Sequence, residues 1–168
     1  MRAQLLATYA DTLDLAGRLT ADVPDDRFAE VPHAGAKHPG WVLGHHCLAS
    51  GMLSGLLADD EAEAKGLGGV PMSLAAAAAP GTEPTADRSA YGSRDDLLAE
   101  LTRVHEVCIE RFSAADDALL ARPLPIADYR SFWPTIGDAA FYLLGRHEPW
   151  HLGQLTAWRQ AAGFGGLA

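Results

Sequence analysis

The sequence predicts an all-α protein, a four-helix bundle with long crossover connections. Three observations carry that expectation: four stretches with helical spacing, no alternating strand pattern, and two long connections broken by proline and glycine. The chain has 168 residues, 48% of them hydrophobic and 21% charged, which suits one domain over residues 1–168.

Leu5, Leu6, Tyr9, Leu13, Ala16 and Leu19 recur at three- and four-residue steps between Asp11, Asp14 and Arg18, predicting a first helix over about residues 2–20. The run 21–39 interrupts any period with prolines and glycine. From Trp41 to Leu57 two adjacent stripes are apolar. One holds Trp41, His45, Leu48, Met52 and Leu56; the other holds Val42, His46, Ala49, Leu53 and Leu57. The second helix should therefore be buried over a broad arc.

Residues 59–92 form a long Gly/Pro-rich crossover, read as a lid or as packing over one end of the fold. Within it Ala75–Ala79 suits one or two helical turns, stopped by Pro80. Ser93 with Asp96 is a capping-box-like start for a third helix, whose stripe is Leu97, Leu101, Val104, Cys108 and Phe112 and which should end near Asp116. Thr135 and Asp138 cap a fourth helix reaching Gln160 or Ala162, closed by Gly163.

Thirteen basic against 22 acidic residues give a net charge of −9, which repels a phosphate backbone and argues against nucleic acid. Asp11 and Asp14 interrupt any apolar leader. No window approaches the roughly 18 apolar residues of a membrane span, so a soluble, unprocessed protein is expected. Cys47 and Cys108 lie in apolar runs where free thiols pack, which fits a reducing cytoplasm.

The chemistry concentrates in the fourth helix, where the stripe Ala140, Leu144, His147, His151, Gln154, Trp158 carries two imidazoles one turn apart. An i, i+4 histidine pair can chelate a divalent metal. The second helix offers a third imidazole, His45 or His46, and periodicity does not separate the two. His147-Glu148-Pro149-Trp150-His151 also matches the H-E-x-x-H pattern of zinc peptidases, with Glu148 in the general-base position. Against that reading, no histidine or glutamate follows His151 as a third ligand, and Pro149 should kink the helix between the two histidines.

His38-Pro39-Gly40-Trp41-Val42-Leu43-Gly44-His45, Pro134-Thr135-Ile136-Gly137-Asp138, and His147-Glu148-Pro149-Trp150-His151-Leu152-Gly153-Gln154 continuing to Arg159 together resemble the DinB/YfiT-like, damage-inducible family of metal-binding four-helix bundles. The resemblance runs over most of the chain. It implies one divalent metal, commonly nickel or zinc, held by His45, His147 and His151 within a homodimer. His46 stands where the family pattern has an apolar residue, and Pro149 also departs from it. Relatives include thiol transferases, maleylpyruvate isomerase-type enzymes and hydrolases. The expected function is thus a metal-dependent enzyme activating a low-molecular-weight thiol or water, with a non-catalytic metal-binding or stress-response bundle as the alternative.

Three protein ligands leave a coordination position for water or substrate. Glu148, about 100° around the helix from His147, is expected to be solvated and is at most a weak acid/base candidate. Gln154 shares the His147 stripe and reads either as a residue bonding near the site or as a buried glutamine bridging helices. His105 reads as a pocket residue or a partly exposed packing residue. His33 and His38 read as surface residues or pocket rim, Trp150 and Trp158 as core or interface aromatics, and Arg159 as a surface or helix-dipole partner.

Overall fold

A computed structural model describes residues 2–167. Among them the chain is all-α, with one isolated antiparallel bridge, Pro123 to Thr135. The elements are α1 (Arg2–Thr20), α2 (Pro39–Leu57), α3 (Glu61–Lys65), α4 (Met72–Ala78), α5 (Arg94–Ala114), α6 (Asp117–Leu120), α7 (Ile136–Tyr142) and α8 (Glu148–Ala161). A π-helical segment, Leu143–His147, joins α7 to α8. The long helices pack as a bundle requires: α1 against α5 and α8, and α2 against α5 and α8. No described helix is long and apolar enough to cross a membrane.

The caps follow local chemistry. Ser93 accepts from the Asp96 amide at the start of α5, and Thr135 with Asp138 forms a full capping box on α7. Helix α2 is buried around almost its whole circumference, as its two apolar stripes predict. It is covered on one side by the crossover, because α3 and α4 both pack on it. Gly44, Gly51 and Gly55 make that approach possible. A Cβ on Gly44 would stand 2.8 Å from Leu74 Cδ1, and Cβ atoms on Gly51 and Gly55 would land on the backbone of Leu67 and Ala64.

Two apolar clusters fill the interior. One contains Ala16, Leu48, Leu101, Val104 and Leu152, and the other Tyr9, Leu53, Cys108 and Leu144. Each long helix passes from one cluster to the other through a buried polar residue: Thr12 on α1, Ser50 on α2, His105 on α5, and His147 with Glu148 at the head of α8. A polar layer therefore crosses the core. Such a layer costs stability wherever a group lacks a hydrogen-bond partner, and within it the Nδ1 atoms of His105 and His147 have none.

His38, expected at the surface, is fully buried and is the N-cap of α2. Its Nδ1 accepts from the Trp41 amide at 3.1 Å, and its Nε2–H donates to the Thr85 carbonyl at 3.0 Å, so both ring atoms need the neutral imidazole. Burial lowers its pKa from 6.5 to about 4. As pH falls below about 6.5 the unfolded chain takes up a proton that the folded chain refuses. Stability is therefore present above that pH and is lost toward pH 4, by about 1.4 kcal/mol per pH unit for one such group. Urea unfolding across this window should show the loss. His38→Asn, which keeps a capping acceptor, should flatten the slope, and parallel slopes in the two proteins would contradict the assignment.

Candidate metal centre

His45, His147 and His151 come together in the buried interior, each offering one nitrogen, and these atoms all lie within 4.8 Å of one another. His45 Nε2 is 3.1 Å from His147 Nε2. Two imidazole nitrogens on one tetrahedral ion, each roughly 2.0–2.1 Å from it, stand about 3.3 Å apart, so the spacing fits a divalent ion.

The chain sets the ring orientations. His45 Nδ1–H donates to the Ala78 carbonyl at 2.8 Å, and His151 Nδ1–H donates to Gln154 Oε1 at 2.9 Å. In both residues the lone pair is left on Nε2, as in metal sites whose ligands donate their other ring N–H to an oxygen. Trp41 stacks on His45 with ring centroids 4.6 Å apart and planes 14° from parallel. Burial, reinforced by the neighbouring imidazoles, lowers the pKa of His147 to about 3 and that of His151 to about 4, and burial lowers that of His45 as well. All three are neutral at pH 7, the form that ligates.

Pro149 acts one turn earlier than its position suggests. It has no N–H to offer the Gly145 carbonyl, and the helix takes a wide π turn over Leu143–His147 just before α8 begins. Leu143 and Glu148 are one π turn apart, so the inward row runs Ala139, Leu143, Glu148, Leu152, Leu155, Arg159, all buried. The regular α-helical period that puts Glu148 in solvent fails at this turn.

Glu148 is consequently 1% exposed, not solvated. Its Oε1 accepts from His105 Nε2 at 2.8 Å and from the Ser50 hydroxyl at 3.2 Å, and its Oε2 lies 2.5 Å from the Thr12 hydroxyl. Tyr9 donates to Ser50 at 2.7 Å and stacks on His105 at 3.7 Å. Burial, with the Cys108 thiol and Glu148 nearby, holds the Tyr9 phenol well above its ordinary value and so keeps it a donor. This carboxylate is the hub of the polar layer and faces α1 and α5. It is not among the residues that line the cavity beside the triad, which weighs against the general-base position of the H-E-x-x-H pattern.

His46 is fully buried, with neither ring nitrogen hydrogen-bonded, and its ring centroid lies 6.0 Å from that of His147 and 5.8 Å from that of His151. It is not one of the three residues whose ligand atoms cluster. His105 is fully buried, neither exposed nor a pocket residue, and Arg159 is also buried, its guanidinium gripping Asp22 and the Leu19 carbonyl across α1. Cys47 and Cys108 are free and buried, and burial raises both thiols, Cys108 to about 12, so neither supplies a nucleophile. Trp158 is core, Trp150 is 59% exposed, and His33 is exposed.

The triad opens onto a cavity of about 420 Å³ whose walls are mostly aromatic and aliphatic. The crossover reaches this cavity through Pro80 and Gly81 and orients His45 through Ala78, so it is a working part of the site. Thr12 and Ser50 were passed over in the sequence, and their place as polar residues in apolar stripes was the signal that could have found them. A backbone carbonyl such as that of Ala78 leaves no sequence signal.

A family model described as the DinB superfamily matches residues 4–155. No curated protein and no solved structure matches the chain.

Proposed function

The chain belongs to the DinB superfamily, and on that footing we propose that it is a metal-dependent enzyme of the transferase or hydrolase type. In this reading it holds one divalent ion, nickel or zinc, through His45, His147 and His151, with residues 1–168 acting as one domain. The observation that carries the proposal is the convergence of three buried, neutral imidazoles on the wall of a cavity.

A divalent ion there supplies Lewis acidity, lowering the pKa of a thiol or water in the position that three protein ligands leave open. The chain's own residues do the rest. Ala78 and Gln154 hold His45 and His151 in the ligating tautomer. Trp41 backs His45, and the aromatic walls limit bulk water around the reacting group. With Glu148 turned away, no carboxylate side chain among the described residues lines the cavity, so a proton released there leaves through solvent or the substrate itself.

A non-catalytic bundle would fill the open position with an apolar side chain, and the cavity beside the triad weighs against that alternative. The proposal includes a homodimer in a reducing cytoplasm, the latter supported by two unpaired buried cysteines.

Cobalt-substituted protein distinguishes the two reactants. Titration with mercaptoethanol should produce a saturable sulfur-to-cobalt absorption band if the site takes a thiol. A visible spectrum that instead titrates near neutral pH, without that band, supports water. Neither response in cobalt-loaded protein would overturn the reading.

A further inference from the structure

We infer that this site selects a small aromatic acid, with Lys37 reading the anionic group and the cavity's aromatic wall holding the body of the ligand. This rests on the metal reading above and assigns the substrate class that the triad alone does not.

The first observation is charge. The protein carries −9 overall, with 22 acidic residues, yet no carboxylate side chain lines this cavity among the described residues, and the one formally cationic side chain there is Lys37. The net charge opposes the approach of an anion to the protein as a whole. In this cavity the anion meets an ammonium and, with the ion bound, a divalent charge.

The second is placement. Lys37 Nζ stands 4.2 Å from the centre of the Trp41 ring, and that ring stacks on His45. One indole thus separates the ammonium from the triad, which puts two centres of positive charge at the same end of the cavity. Lys37 also donates to the Thr82 carbonyl at 3.4 Å, while the Trp41 indole N–H donates to the Thr82 hydroxyl at 2.9 Å, tying the lysine to the crossover.

The third is the aromatic lining. Tyr129, Phe132, Trp133, Tyr142 and Trp150 line the cavity, with Trp133 5.6 Å from Tyr129 and 5.2 Å from Tyr142, ring centre to ring centre, and with Tyr142 5.8 Å from His147 and Trp150 4.8 Å from His151. Phe132 is 74% exposed and Trp150 59%, an apolar rim that a soluble chain rarely presents without something to bind. An aryl group offers such walls offset or edge-to-face contacts that an alkyl chain of equal area lacks. A cavity of about 420 Å³ lies in the range of small-molecule sites and admits one or two fused rings with a short acidic arm.

Tryptophan emission gives a direct readout, because Trp41, Trp133 and Trp150 all line the cavity. Naphthylacetate and its neutral analogue naphthylacetamide would be titrated into metal-free and zinc-loaded protein, and into Lys37→Met, whose side chain keeps the packing on Trp41 without the charge. We expect saturable quenching by the acid in both forms, at least tenfold tighter than by the amide. Lys37→Met should weaken the acid about tenfold in both forms and leave the amide unchanged. Equal binding of acid and amide, no quenching by either, or undiminished acid preference in Lys37→Met would overturn the inference. Zinc content measured on the same samples reports separately on the metal reading, so a chain that binds the acid without taking up zinc refutes the metal centre alone.

Discussion

Glu148→Ala should lower the unfolding free energy by about 3–5 kcal/mol while leaving the three histidine ligands in place. The carboxylate is the common acceptor for His105, Ser50 and Thr12, and His105 and Glu148 have almost no access to solvent. Removing it strands these donors and opens a void between α1, α5 and α8. Natural domains are typically stable by only about 5–15 kcal/mol, so this substitution takes a large share. Glu148→Gln keeps the shape but turns an NH₂ toward a donor, and about 1–3 kcal/mol is expected. Urea denaturation measures both, and elemental analysis of the same samples should find the metal retained in Glu148→Gln. A Glu148→Ala protein within 1 kcal/mol of wild type would show that the polar layer is not held through this residue.

Gly55→Ala should destabilise the protein by about 1–3 kcal/mol or more, against its helix propensity. In an exposed helix interior, alanine in place of glycine gains about 1 kcal/mol. At Gly55 the new Cβ would meet the backbone nitrogen and Cα of Ala64, which cannot rotate away as a side chain can. The matched control is Gly153→Ala on α8, exposed, with nothing within 4 Å of its Cβ, where a gain of about 0.5–1 kcal/mol is expected. Opposite signs in thermal or urea unfolding would establish that the crossover seats directly on α2. Stabilisation at both sites would contradict it.

The long helices and their caps were legible because apolar periodicity and Ser or Thr caps are local signals, as at Ser93 and Thr135. His45, His147 and His151 were legible through their stripes and through the family pattern, and the fold brings them together. His46 could not be set aside on periodicity, because α2 is buried nearly all round and both stripes face protein. Glu148 was misplaced for one physical reason: Pro149 induces a π turn, and a single extra residue rotates the row. His38 and Arg159 defeated the surface expectation because each satisfies its polar atoms through partners distant in sequence, Thr85 and Asp22. Gly44, Gly51 and Gly55, seven and four residues apart on α2, were a sign of a close-packed crossover that went unused in reading the sequence.

The central claim is that His45, His147 and His151 hold a divalent ion. Elemental analysis of untagged protein, never exposed to chelator, tests it directly beside His45→Ala, His147→Ala and His46→Leu. One nickel or zinc per chain is predicted in the wild type and in His46→Leu, and none in the two alanine variants. A folded wild-type protein that takes up no metal even after reconstitution, or His46→Leu losing its metal while His45→Ala keeps it, would contradict the account.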